Sequence, residues 1–147
     1  MPIHLHWRYI GLVFLGGALG TTARYLISSV IPPWIGLPVG TFLINIVGAF
    51  LLGALLEALA LRGPDEGIRR NLRLFVGTGI LGGFTTYSAF AVDTDGLLTS
   101  NDLAGSLVYA VATILIGALA SLCGIALAAW HHGPTGPGRA SAFGGDE

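Results

Sequence analysis

The chain has 147 residues, of which 53 % are hydrophobic types and only 10 % are charged, with a formal net charge of −1. A soluble domain carries about 25 % charged residues, so these charges are too few to cover a soluble globule, and a disordered chain or a nucleic-acid binder is excluded with it. Mean hydropathy is +0.76, lysine is absent, and the single cysteine, Cys123, forbids an intrachain disulfide and argues against structural zinc. The 23 glycines follow no three-residue period, which excludes collagen. The composition describes a small all-α integral membrane protein.

A membrane-spanning helix needs about 20 mostly apolar residues, and four segments qualify. The first is predicted over 9–31 and is stopped by Pro32 and Pro33. It resembles a cleaved leader less than a retained span, because it is long, contains Arg24 and meets Pro-Pro instead of a small-x-small site. The second is predicted over 37–61, the third over 72–98 and the fourth over 103–130, with short connections that make sequential neighbours antiparallel. Together they form one channel-sized domain over 1–130, followed by a Gly- and Pro-rich tail, 131–147, expected to be disordered.

Polar groups within spans are costly and therefore informative. In the second span Thr41, Asn45 and Gly48 stand at i, i+4 and i+7, on one helical face. Such a stripe either glues helices together, with Asn bonding a neighbour and Gly permitting close approach, or lines a pathway, with amide N–H and hydroxyl donors offered to an anion. Gly16 and Gly20, Gly36 and Gly40, Ala49 and Gly53, and Gly117 and Ser121 are each four apart and mark close-packing faces. The third span holds four glycines over 77–83, followed by Thr85 and Thr86. This is poor helix material, and unwound backbone at membrane depth requires burial or an ion. Beyond it Tyr87 and Phe90 share a face, with ring edges able to touch an anion. Tyr109 and Thr113, at i and i+4 of the fourth span, form a second polar stripe. Arg24 is the one cation inside the first span, suited to an interface, an acidic partner or an aqueous vestibule. The terminal histidines are read as solvated, not as a metal site.

Three motifs resemble the CrcB/Fluc family of fluoride channels: Gly16-Gly17-Ala18-Leu19-Gly20-Thr21-Thr22-Ala23-Arg24-Tyr25, Gly40-Thr41 to Asn45 with Gly48, and Gly82-Gly83-Phe84-Thr85-Thr86-Tyr87-Ser88-Ala89-Phe90. The resemblance implies four spans per subunit, a third helix broken mid-membrane, and an antiparallel dimer with two fluoride pores and a central Na⁺. It implies that backbone carbonyls of Gly82 and Thr85 hold the Na⁺, that Asn45 is the pore amide donor, and that Phe90 faces fluoride. Thr41, Ser88, Tyr109 and Thr113 would line or support the polar track, and Arg24 would stand near the vestibule. The chain departs from the family pattern at Tyr87 (usually Phe), Ala89 (Thr), Ala91 (Ser) and Asp93 (Glu). The implied activity is passive fluoride export through the plasma (inner) membrane, lowering internal fluoride.

With four spans, Arg8, Arg62, Arg69, Arg70, Arg73 and Arg139 share one side, and at most Arg24 lies on the other. The positive-inside rule puts that side in the cytoplasm. So strong a bias suits a subunit inserting mainly one way and pairing with an oppositely oriented homologue, although homodimerisation stays open. A proton-coupled exporter of small cations or drugs would need a carboxylate deep in a span. The first span has none, and only Glu57 and Asp93 are candidates. A non-transporting assembly subunit is the third alternative. No nucleophile–base pair suggests an enzyme.

Overall fold

The computed structural model describes residues 6–34 and 36–131. Beyond His131 the tail expected to be disordered lies outside the described residues, as do His4, His132 and Arg139. Among the described residues, four helical segments are long and apolar enough to cross a membrane.

The first helix, α1 (Trp7–Val30), starts two residues earlier than expected and ends where Ile31, placed before Pro32, turns extended (φ −98, ψ 106). Gly36, at φ +75, lets the chain reverse between α1 and α2, and Trp34 and Leu37 close that turn with two backbone hydrogen bonds. Helix α2 (Val39–Leu61) follows Pro38. The next connection is shorter than the sequence implies, because helical backbone resumes at Gly67 instead of Leu72. In that turn Arg70 donates to the Asp65 carbonyl, and Arg73 grips the Asp65 carboxylate through Nε at 3.0 Å and Nη2 at 2.7 Å.

Helix α3 covers 67–84. It is α-helical over Gly67–Leu72, widens to a π-helical pitch over Arg73–Leu81, and closes with an α-helical turn, Gly82–Phe84. The glycines expected to unwind thus keep helical backbone. Thr85 (φ −71, ψ 153) and Thr86 (φ −145, ψ 122) are extended, and α4 (Tyr87–Thr99) follows. Helix α5 (Leu103–His131) begins after Asp102, whose carboxylate accepts the Gly105 N–H at 2.8 Å.

Packing divides the chain into two pairs. Helix α1 lies along α3, and α2 lies along α5, while the consecutive α1 and α2 meet little. Glycine makes both contacts possible. A Cβ on Gly16 would overlap the Phe75 carbonyl oxygen, and one on Gly20 that of Ile80. Between α2 and α5, a Cβ on Gly53 would overlap the Ser121 carbonyl, and one on Gly124 that of Phe50. The expected faces at Gly16–Gly20 and at Gly53 and Ser121 are therefore intrachain contacts, whereas Gly36 meets nothing. Helix α4 leans on α5, fixed by the Ser106 hydroxyl donating to the Thr94 carbonyl at 3.0 Å.

Candidate functional site

Two extended residues in a helical span leave backbone groups without intrahelical partners, and Asn45 takes up those of Thr86. Its Oδ1 accepts the Thr86 N–H at 2.8 Å, and its Nδ2 donates to the Thr86 carbonyl at 3.0 Å. The carboxamide thus pairs with Thr86 as a neighbouring strand would. Its second amide hydrogen has no acceptor among the described residues. One turn along the same face, a Cβ on Gly48 would overlap the Thr85 side chain. The α2 stripe predicted from spacing accordingly faces the α3–α4 junction.

The junction is tied internally as well. The N–H and hydroxyl of Thr85 both donate to the Leu81 carbonyl, each at 2.9 Å. The Thr86 hydroxyl caps α4 by accepting the Ala89 N–H at 3.1 Å, and it shares a 3.2 Å hydrogen bond with Ser88. Thr86 is buried, and Ser88 is exposed beside it. The carbonyls of Gly82 and Thr85 accept no hydrogen bond from a described residue.

Three aromatic rings continue from the junction. Tyr87 and Phe90 lie 6.0 Å apart between centroids, and Phe90 and Tyr109 lie 5.6 Å apart, all tilted. Tyr109 is buried and donates a long 3.4 Å hydrogen bond to Asp93, with Thr41 beside the phenol. Tyr87 is 81 % exposed on the outer surface of the chain. Asp93, which sequence position alone leaves between pairing and the interface, is half-buried and paired.

Two concavities meet here. A groove of about 400 Å³ is lined by Asn45, Thr86, Tyr87, Phe90 and Thr113 among others. A second, of about 310 Å³, holds Arg24, Thr41 and Thr86. The structure brings Asn45, Tyr87, Phe90 and Thr113 together, puts Tyr109 behind Phe90, and sets Thr41 and Arg24 on the other side of Thr86. Arg24 has neither a hydrogen bond nor an ion pair among the described residues. The Thr113 hydroxyl donates to the Tyr109 carbonyl at 2.7 Å, so it presents lone pairs and no donor to the groove. Sequence reasoning missed Thr86 as the residue both concavities share. Its place after a Gly-rich run and three residues before Ala89, the spacing of a helix cap, was the available signal.

Comparison with known proteins bears on what this arrangement is. Residues 11–125 match the family described as CrcB-like protein, Camphor Resistance (CrcB). The chain is 64 % identical over 128 residues to the fluoride-specific ion channel FluC 2 of Leifsonia xyli subsp. xyli, covering 87 % of this chain and 88 % of that one. It is 49 % identical over 111 residues to fluoride-specific ion channel FluC 1 of Cutibacterium acnes, covering 75 % and 78 %. It is 38 % identical over 118 residues to FluC 2 of Nitrobacter hamburgensis, covering 79 % and 93 %. The family match runs through most of α1, the α2 stripe and the junction alike, and the chain belongs to the CrcB-like family.

Proposed function

We propose that this chain is a fluoride channel, and not an enzyme, that lets the ion flow passively out of the cell across the plasma membrane. The observation that carries the reading is 64 % identity, across 87 % of the chain, to a relative named as a fluoride-specific ion channel. The geometry supplies a reason. Fluoride is small and strongly hydrated, so a selective path must replace its water with close donors and still release it. The uncommitted amide hydrogen of Asn45, the exposed Ser88 hydroxyl and the ring edges of Tyr87 and Phe90 are such donors around one junction. Tyr109 and Thr41 support the ring stack from behind, and Thr113 lines the groove with its acceptor side. Arg24, beside Thr41 and Thr86 and without an ion pair among the described residues, would draw anions toward them.

The same reading includes a structural Na⁺ on the carbonyls of Gly82 and Thr85. The donor set fits a hard cation, since both oxygens lack hydrogen-bond donors among the described residues. Bound there, the ion would offset carbonyl dipole charge. Gly82 is exposed, so the remaining ligands would come from outside the chain, which suits an antiparallel dimer with each subunit's junction at the shared face. Among the described residues the buried apolar ones are Ile44, Leu59, Leu81, Leu97, Tyr109 and Ala128, which leaves apolar surface for lipid and, in this reading, for a second subunit.

Purified protein in liposomes, followed with a fluoride electrode beside a chloride control, tests the channel. Rapid fluoride release without chloride release is expected, and equal release of both ions would overturn selectivity. Absence of release from the chain alone and also with an oppositely oriented homologue would overturn the channel. The arginine asymmetry favours one insertion direction and a homologous partner. Cysteine labelling at the two termini should react from one side of the membrane only, and labelling from both sides would overturn one-way insertion.

A further inference from the structure

The first turns of α1 and α3 lie side by side and enclose a groove of about 560 Å³, lined by apolar residues from both helices and by Arg70 and Arg73. We infer that this groove binds an anionic phospholipid, with its phosphate on Arg70 and Arg73 and an acyl chain along Ile10, Phe14 and Leu74.

Charge and shape both select that occupant. Arg70 spends Nε and Nη2 on the Asp65 main-chain carbonyl, while Arg73 takes the Asp65 carboxylate. Asp65 is the one carboxylate paired with either arginine among the described residues. Two guanidiniums against one carboxylate leave a unit of positive charge at the groove, and the Nη1 hydrogens of both have no acceptor among the described residues. A phosphate diester matches those planar donors. A free phosphate would leave the apolar wall unused, and Phe14, 72 % exposed, stands on that wall. Both helices open spans long and apolar enough to cross a membrane, Trp7–Val30 and Gly67–Thr99, and their arginine-bearing ends share one side, where acyl chain and headgroup meet.

Trp7 stands one helical turn before Ile10 and is 86 % exposed, so it reports on this groove. With Trp34 and Trp130 replaced by Phe, the full chain is placed in phosphatidylcholine vesicles containing either brominated phosphatidylglycerol or brominated phosphatidylcholine. Half-quenching of Trp7 is expected at a mole fraction at least threefold lower for the anionic lipid. Arg70→Gln with Arg73→Gln should equalise the two, and Asp65→Asn, which frees Arg73, should widen the gap. Equal quenching in the parent protein, or a preference that survives the double substitution, would overturn the site. Absence of quenching by either lipid would overturn it too, by showing that protein covers this face. If the double variant fails to insert, Asp65→Asn decides alone: an unchanged or narrower gap counts against the site.

Discussion

Residues 67–84 and residues 87–99 belong to the same span, yet they are held to the rest of the chain by different means. The first stretch is held by shape. Gly79 and Gly83 meet Gly16 and Gly17 of α1 with no side chain between the backbones, and no hydrogen bond shorter than the 3.5 Å contact from the Thr21 hydroxyl to the Gly83 carbonyl joins the two helices. The second stretch, with the Thr86 cap that opens it, is held by polar bonds and rings: Asn45 on Thr86, Ser106 on the Thr94 carbonyl, and Phe90 against Tyr109. Shape complementarity tolerates no added atoms, whereas a polar junction tolerates added volume but no missing partner. In lipid this division is expected, because helices gain little from hydrophobic burial against one another.

The contrast is broken most severely on the glycine side. Gly20→Val puts a side chain onto the Ile80 carbonyl, which is backbone and cannot turn aside. A loss above about 3 kcal/mol is expected, read as absence of a monodisperse helical species by size exclusion. Gly48→Val meets the Thr85 methyl instead, a side-chain atom that can turn away only by giving up the hydroxyl's bond to the Leu81 carbonyl, and should cost less. Next comes Asn45→Ala, which strips partners from the N–H and C=O of Thr86. A loss on the order of 2–4 kcal/mol is expected from two orphaned groups, with fluoride flux reduced at least about tenfold, since one donor vanishes and the junction loosens.

Phe90→Ala should separate transport from stability. The ring contacts it removes are worth about 0.5–1.5 kcal/mol each, so the protein should remain folded while flux falls steeply in the electrode assay. Tyr87→Phe leaves an exposed ring edge in place and should change the melting temperature by no measurable amount. The smallest effect lies outside the span. The Arg73 guanidinium hydrogen-bonded to Asp65 holds that carboxyl below its usual value of 3.8. A depressed carboxyl stabilises the fold above the unfolded pKa, and the contribution disappears as pH falls through the folded one. Wild type should therefore lose melting temperature below pH 3.8, and Asp65→Asn should flatten that decline, by about 1 kcal/mol or less for so exposed a pair.

Much of this organisation can be read from residue spacing, and what cannot has a physical reason. Four apolar stretches and their proline and glycine boundaries define the spans, and the i, i+4, i+7 pattern puts Thr41, Asn45 and Gly48 on one face. Helical spacing gives a face but not the element it meets. The pairing of Asn45 with Thr86, 41 residues away, is a tertiary fact. Glycine content makes the expected interruption too broad for a related reason. Helix propensity treats Gly77 to Gly83 as weak, yet α1 packs on the bare backbones of Gly79 and Gly83, Gly77 meets leucines of α2, and the backbone stays helical. The extended residues are the two threonines, whose hydroxyls tie the junction to Leu81 and Ala89. The commitment of the Thr113 hydroxyl to its own helix is likewise a rotamer outcome, invisible in the order of residues.

The pairing of Asn45 with Thr86 also sets an order of events during synthesis. A growing chain emerges from its N-terminal end, so α2 is complete before Thr86 leaves the ribosome. An extended pair of threonines entering hydrocarbon by itself would carry bare peptide groups into a medium without water. The Asn45 carboxamide of the helix made first has both partners that Thr86 needs, so the earlier helix can serve the later one as an insertion template.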